Sequence, residues 1–322
     1  MAGANTSYAR TVLKHCIASA IRMGLLPLIS RITFRGREDG GAISVHTLVH
    51  AGNWRLGLLA LSSFILQTGR RWKVFIHEDG SLADRVRRII RRDHPEWILV
   101  TRTDADARVH SALKQYPCLL ERRAENNLMV KFVDPCLFAP YERYLFIDPD
   151  VFFFAPPVEL MKWIADEESG ECWFMKEYEE VYAYSFSLEQ LHALNGAEVK
   201  AGVNTGLCLL DKQAISFEQS EQFLEKIRGV DLVGKAAWYI EQTLLAIVAT
   251  RSPGGLLPET YITGYDAGVR EKRKHRVACH YVGPTKNDRL YYDGVLRLAG
   301  IFTKKGWLCG RMPIADRVVT PG

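Results

Sequence analysis

Tyr144-Leu145-Phe146-Ile147-Asp148-Pro149-Asp150-Val151-Phe152-Phe153-Phe154 is the run whose reading decides the fold. It sets two carboxylates, one residue apart, between two apolar runs. Each apolar run has the length and composition of a short buried strand. The acids therefore stand where a buried sheet meets the surface. A carboxylate is costly to desolvate there unless something compensates its charge. One divalent cation serves two neighbouring acids at once. The alternative is an ordinary strand edge, with Asp and Pro filling a turn.

Upstream the pattern alternates. Ile43 to Val49 reads as a strand. Trp54 to Leu66 reads as a helix, with Trp54, Leu58, Leu61 and Ile65 at helical spacing and Asn53 as its N-cap. Trp72 to Ile76 is a second strand. Ser81 then opens an arginine-rich helix with Asp84 as a capping-box partner, and Trp97 to Thr101 is a third strand. Strand, helix, strand, helix, strand is the pattern of a parallel sheet with crossover helices. Ligands of such sheets bind beyond the carboxyl ends of the strands. Here those ends carry His50-Ala51-Gly52 and Glu78-Asp79-Gly80, small and polar enough to admit a nucleoside. Neither a G-x-G-x-x-G nor a G-x-x-x-x-G-K-[ST] sequence occurs, which removes support for dinucleotide cofactors and P-loop chemistry.

Downstream, Asn126 to Phe138 reads as a helix carrying Lys131 and interrupted near Pro135. Pro157 begins a helix through Ile164. Cys172 to Met175, Val203 to Leu210 and Arg276 to Val282 read as strands, Glu177 to Phe186 as a loop, and Trp238 to Val248 as a helix. Thr103-Asp104-Ala105-Asp106 repeats the acid-x-acid spacing in polar surroundings and reads as a loop without a metal.

The 322 residues suffice for a substantial core, and 48% hydrophobic with 25% charged residues is ordinary globular composition. Seven cysteines occur singly, without a C-x-x-C pair, which favours buried thiols in a reducing, cytoplasmic setting over disulfides or a cysteine zinc site. A net charge of +5 falls short of a nucleic-acid binder's footprint, and no nucleic-acid partner is expected. The charge is clustered at Arg85, Arg87, Arg88, Arg91 and Arg92, and again at Lys272, Arg273, Lys274 and His275. These are solvated faces or contacts to an anionic surface. No stretch reads as the ~18–20 apolar residues of a spanning helix. Arg10, Lys14, Arg22 and Arg31 interleave with Leu25, Leu26, Leu28 and Ile29. That segment is either an interfacial helix at the inner face of a membrane or a helix packed on the domain's flank.

Polar residues closing apolar runs form one constellation: Asp148 and Asp150, Asn204, His280, and Lys286 on a Gly/Pro turn. Two carboxylates and one imidazole suit a divalent ion, Mn²⁺ ahead of Mg²⁺, with Zn²⁺ compatible. A lysine beside such an ion fits a diphosphate.

Arg143-Tyr144-Leu145-Phe146-Ile147-Asp148-Pro149-Asp150 resembles the DxD motif of GT-A-fold glycosyltransferases. Asn204-Thr205-Gly206-Leu207 resembles the Asn-x-Gly strand of glycosyltransferase family 8, the glycogenin and lipopolysaccharide galactosyltransferase group. Glu241-Gln242 is similar to that family's Asp-Gln segment, His280-Tyr281-Val282-Gly283-Pro284-Thr285-Lys286 to its His-x-x-Gly-x-x-Lys motif, and Lys131 to its lysine upstream of the DxD. The departures are Glu at 241, Phe132 after the lysine, Pro149 between the acids, and Asn287-Asp288 where Pro-Trp is common.

The resemblance implies a mixed, mainly parallel Rossmann-like α/β sheet flanked by helices. Residues 41–290 would form this domain, after a basic helical extension (1–40) and before a C-terminal tail packing on it (291–322). It implies a metal held by Asp148, Asp150 and His280, and a diphosphate contacted by Lys286 and Gly283. Lys131, Asn204, Glu241 and Gln242 would face the donor sugar. His50, Ala51 and Asp79 border the nucleoside by strand-end position. The implied reaction moves a sugar from a nucleoside diphosphate, UDP favoured, to a glycan, lipid-linked or protein hydroxyl. Retention requires no strong base; inversion requires one, from Glu177, Asp211 or Glu241. A sugar nucleotidyltransferase and a non-catalytic nucleotide-sugar-binding protein are the rival readings.

Overall fold

The computed structural model describes residues 2–34, 36, 38–177, 183–232, 234–264, 275–283 and 288–304, without the side chains of residues 2–10 and 235. Its strands are β1 (Glu38–Val49), β2 (Arg70–Glu78), β3 (Ile98–Val100), β4 (Arg143–Ile147), β5 (Val151–Phe153), β6 (Cys172–Lys176), β7 (Val203–Asp211), β8 (Gly254–Leu256), β9 (Tyr261–Thr263) and β10 (Ala278–His280). One sheet runs β3-β2-β1-β4-β7-β6-β8, and a smaller one β5-β10-β9. β1 to β4 pair in parallel, β7 runs against both β4 and β6, and β8 is parallel to β6. Helices Trp54–Thr68 and Asp84–Asp93 carry the chain back between parallel strands. The observed architecture is the mixed, mainly parallel α/β sheet that the sequence implied.

β4 shows why the run around Asp148 behaves as it does. All five of its residues are buried, and they alternate between two cores. Leu145 and Ile147 join Val45, Leu59 and Phe64 on one face. Tyr144 and Phe146 join Phe132, Val133 and Leu244 on the other. Such a strand buries both faces, so its sequence is continuously apolar. The turn at Asp148-Pro149-Asp150 then moves the chain out of the large sheet. β5 pairs instead with β10, antiparallel, with Val151 opposite His280.

Two segments far apart in sequence share the first core. Ala18, Ile21, Leu26, Ile29 and Phe34 pack with Leu298 and Phe302, and the rings of Phe34 and Phe302 meet edge-on at 4.8 Å.

Several local expectations change. Thr103-Asp104-Ala105-Asp106 lies in a helix, Arg102–Leu113, because Thr101 caps it by accepting from the Asp104 N–H at 3.2 Å. Asp106 is ion-paired to Arg102 and Arg123 at 2.8 and 2.6 Å, which supplies its counter-charge. The arginine-rich helix begins at Asp84, not Ser81; the Ser81 hydroxyl donates to Asp79 and accepts from the Ala51 N–H. Asn53 precedes its helix, but its side chain accepts from the His50 N–H. Helix Trp238 to Val248 is broken at Tyr239 into Lys235–Trp238 and Ile240–Arg251. Helices Leu188–Asn195 and Phe217–Lys226 add to the sequence expectation; a full Ser187–Gln190 capping box marks the first. Thr11–Ile29, 19 residues charged only at Lys14 and Arg22, is long and apolar enough by length and composition to cross a membrane, contrary to the sequence reading. Cys16, Cys118, Cys136, Cys172, Cys208 and Cys279 are free thiols.

A buried histidine pair joins β1 to β2. Ser44 Oγ lies 2.8 Å from His46 Nε2, and His46 Nδ1 lies 2.9 Å from His77 Nε2. Burial lowers both imidazoles, His77 to about 4. The folded protein keeps them neutral, whereas the unfolded chain takes up protons below about pH 6.5. Their contribution is therefore fully present above that pH and is lost as pH falls toward 4. We expect urea stability to drop by on the order of 3 kcal/mol over this window from His77 alone. His77→Gln should flatten that acid limb; an unchanged limb would assign it to other groups.

Candidate active site

The turn between β4 and β5 is anchored on both sheets. The Asp148 N–H donates to Gly206 O of β7 at 2.8 Å, and the Tyr281 N–H donates to Asp150 O at 3.0 Å. These bonds bring His280 to the two acids. His280 Nε2 lies 3.3 Å from Asp150 Oδ1 and 3.8 Å from Asp148 Oδ2. One ligand atom from each of the three lies within 4.8 Å of the others. Asp150 and His280 are buried, and Asp148 is partly open. The three residues singled out from the sequence as metal ligands thus converge.

The His280 ring is held from behind. Its Nδ1 lies 2.8 Å from Asn204 Oδ1. Asn204 Oδ1 also accepts from the Gly206 N–H at 3.0 Å, and its amide donates to Glu177 Oε2 at 2.8 Å. The amide is thereby oriented oxygen toward the ring, so Nδ1 donates to it and Nε2 is the nitrogen that faces the acids. This is the outer-shell arrangement of a metal-ligating histidine. Gly206 is required for it: a Cβ there would overlap the imidazole. Gly57 similarly leaves room for Val49, and a Cβ there would also touch Pro149 at 3.8 Å, setting the end of β1 beside the turn.

Lys131 sits behind Asp148. Its N–H groups donate to Asp148 Oδ2 at 3.0 Å, Thr205 O at 3.1 Å and Thr205 Oγ1 at 3.3 Å. Those three bonds use its hydrogen-bonding capacity. Glu241 Oε1 lies 3.8 Å away on the other side. Burial lowers the ammonium, yet Asp148 and Glu241 outweigh that and hold it above its ordinary value. Burial pushes the Glu241 carboxyl up to about 7, with Lys131 opposing and Asp148 adding to the shift. Thr205 Oγ1 bridges to Glu241 Oε2 at 3.2 Å and Gln242 Oε1 at 3.3 Å. The Gln242 amide donates to Ala183 O at 3.0 Å and Glu177 Oε2 at 3.4 Å. Lys131, Asn204, Glu241 and Gln242 therefore form one connected network behind the triad.

Other sequence candidates lie around it. His50 and Ala51 are exposed in the turn after β1, and the Ala51 N–H donates to Ser81 Oγ at 2.9 Å. Asp79 Oδ2 accepts from Asn127 at 3.3 Å, and the Asp79 N–H donates to Val49 O at 3.2 Å, so the two strand ends are tied together. Gly283 follows the His280 strand in the left-handed region, with φ of 57°. Lys286 lies outside the described residues. Asp211 stands opposite Arg143 in the β4–β7 ladder, at the other end of β4 from Asp148, so it is not in this site. Thr205, the hub of the network, and Gly206, the clearance for the ring, were given no role by sequence reasoning. The Asn-x-Gly spacing held the signal, since residues two apart on a strand share a face.

No protein-family model and no curated protein matches the sequence. Solved structures do match it. Mouse xyloside xylosyltransferase 1 in its apo form gives a TM-score of 0.51 at 12% identity, covering 76% of this chain and 98% of that one. The galactosyltransferase LgtC in complex with donor and acceptor sugar analogs gives 0.50 at 11% identity, covering 85% and 98%. The chain has a GT-A glycosyltransferase fold. The likeness is one of fold, and the site's chemistry rests on its own residues.

A cation held by this triad depends on the His280 ring position. Gly206→Ala should weaken Mn²⁺ binding, and Asn204→Ala should weaken it by about 10–100-fold, both read by calorimetry. Full affinity in both variants would separate His280 from the ion.

Proposed function

We propose that the protein transfers a sugar from a nucleoside-diphosphate sugar, UDP-linked, to an acceptor hydroxyl, with retained anomeric configuration. The observation that carries this reading is the meeting of Asp148, Asp150 and His280 Nε2 where the parallel sheet hands over to the small one. Two carboxylate oxygens and an imidazole nitrogen with its other nitrogen hydrogen-bonded are a donor set for Mn²⁺ or Mg²⁺. When bound, such an ion offsets charge on the departing diphosphate.

The chain's own residues supply the rest. Lys131 fixes Asp148 from behind and acts as a positioning residue, and Asn204 does the same for His280. Lys286 provides a further positive charge for the diphosphate, and Gly283 lets the backbone turn toward it. His50, Ala51 and Asp79 border the nucleoside at the strand ends. Gln242, or a phosphate oxygen of the donor, faces the reacting carbon. Retention is favoured because the nearby carboxylates are engaged: Glu177 accepts from Asn204 and Gln242, and Glu241 from Thr205 beside Lys131. A base for inversion would have to leave this network.

The test is a panel of nucleotide sugars with the full chain, in Mn²⁺ or EDTA, reading nucleoside diphosphate release. Release from at least one donor is expected, lost in EDTA and reduced by on the order of 10³-fold in Asp150→Ala. Pyrophosphate release would point to a nucleotidyltransferase. Donor binding with no turnover would point to a binding protein. Release indifferent to EDTA would remove the metal.

A further inference from the structure

The N-terminal helix turns an apolar face away from the protein. Its polar or charged positions Thr11, Lys14, His15 and Arg22 lie toward the flanks of the packed side, where Ala18 and Ile21 enter the core. The opposite side carries Val12, Leu13 and Ile17, which are 44%, 60% and 40% exposed. Past the π-turn at Ile21–Leu25 the exposure continues at Met23, 75%, and Leu28, 64%. Only 22% of the apolar window in Thr11–Ile29 is buried. Helices that serve a folded core alone show the reverse pattern, polar outward. Exposed apolar surface on this scale marks an interaction site.

Charge identifies the occupant. Residues 1–37 contain Arg10, Lys14, Arg22, Arg31, Arg35 and Arg37, and no Asp or Glu. A second basic element adjoins them. The end of helix Asp84–Asp93 is bonded to the end of the N-terminal segment: Thr33 Oγ1 donates to Asp93 O at 2.7 Å, and His94 Nε2 lies 3.1 Å from Ser30 O. On that helix Arg85, Arg88 and Arg92 are exposed on one face, at i, i+3 and i+7. Burial, with Arg31 and Arg85 adding to it, holds the Arg55 guanidinium below its ordinary value; Arg31 and Arg92 share the single carboxylate of Asp93, at 3.7 and 2.7 Å.

We infer that this apolar helix face and the adjoining arginine face form one docking surface for an anionic lipid bilayer, on which the helix lies in the interface plane. Apolar side chains enter the acyl boundary while the arginines meet anionic headgroups. A nucleic acid would use the charge and leave the apolar side uncovered. A spanning orientation would pull Ala18, Ile21, Leu26 and Ile29 out of the core they share with Leu298 and Phe302. The inference is independent of the reaction at the triad.

The test is flotation of the full chain with vesicles of phosphatidylcholine alone or containing phosphatidylglycerol. Binding to the anionic vesicles is expected to exceed binding to the neutral ones by on the order of tenfold and to fall as salt is added. Leu13→Asp/Ile17→Asp and Arg88→Glu/Arg92→Glu should each lose that binding, with nucleotide-sugar turnover unchanged. Near-ultraviolet circular dichroism checks folding, and Met23→Asp replaces the first pair should it unfold. Three results would overturn the inference: wild-type-like flotation of both pairs, binding to anionic vesicles that is indifferent to salt, or a solution dimer that Leu13→Asp/Ile17→Asp dissociates.

Discussion

The structure depends on one change of partner. At Asp148-Pro149-Asp150 the chain leaves the large sheet, where β4 pairs with β7, and enters the small one, where β5 pairs with β10. Both strands around the turn are fully buried, so neither can slip by one residue without reversing every side chain. That fixed register places the two acids against β7 on one side and β10 on the other. Gly206 and His280 reach the acids, and Asn204 reaches His280, because of backbone ladders, before any side chain chooses a rotamer.

The buried charge behind the acids is paired. Lys131 lies between Asp148 and Glu241, and removing one member of a buried pair of this kind costs about 3–5 kcal/mol. The network is polar on the protein side and opens at Asp148. A site of this kind is preorganised: its groups are held in place before a ligand arrives, and they need not reorganise as charge develops. The shift of Glu241 to about 7 follows from its burial, to which Asp148 adds and which Lys131 only partly offsets.

Much of this was legible in the sequence, for physical reasons. The parallel half of the sheet showed because crossover helices impose alternation. β4 and β7 showed because strands buried on both faces are continuously apolar. Asp148, Asp150 and His280 showed because polar residues closing such strands need compensation. What stayed hidden was pairing. Nothing in the run Val151 to Phe154 says that it leaves its sheet for another. The bond from Asn204 to His280 spans 76 residues, which no local pattern reveals. The acid-x-acid sequence at Asp104 and Asp106 is polar enough to resemble a loop, and only the Thr101 cap marks it as the start of a helix. The outward apolar face of the N-terminal helix was hidden because periodicity gives a stripe and not its direction.

The central claim is that the three side chains at the sheet exchange hold one divalent cation. Crystals grown with Mn²⁺, measured at the manganese absorption edge, test it most directly. The account predicts a single anomalous peak bonded to carboxylate oxygens of Asp148 and Asp150 and to His280 Nε2, with the ring's Nδ1 still on Asn204. A peak coordinated by other residues, or none at saturating Mn²⁺, would contradict it.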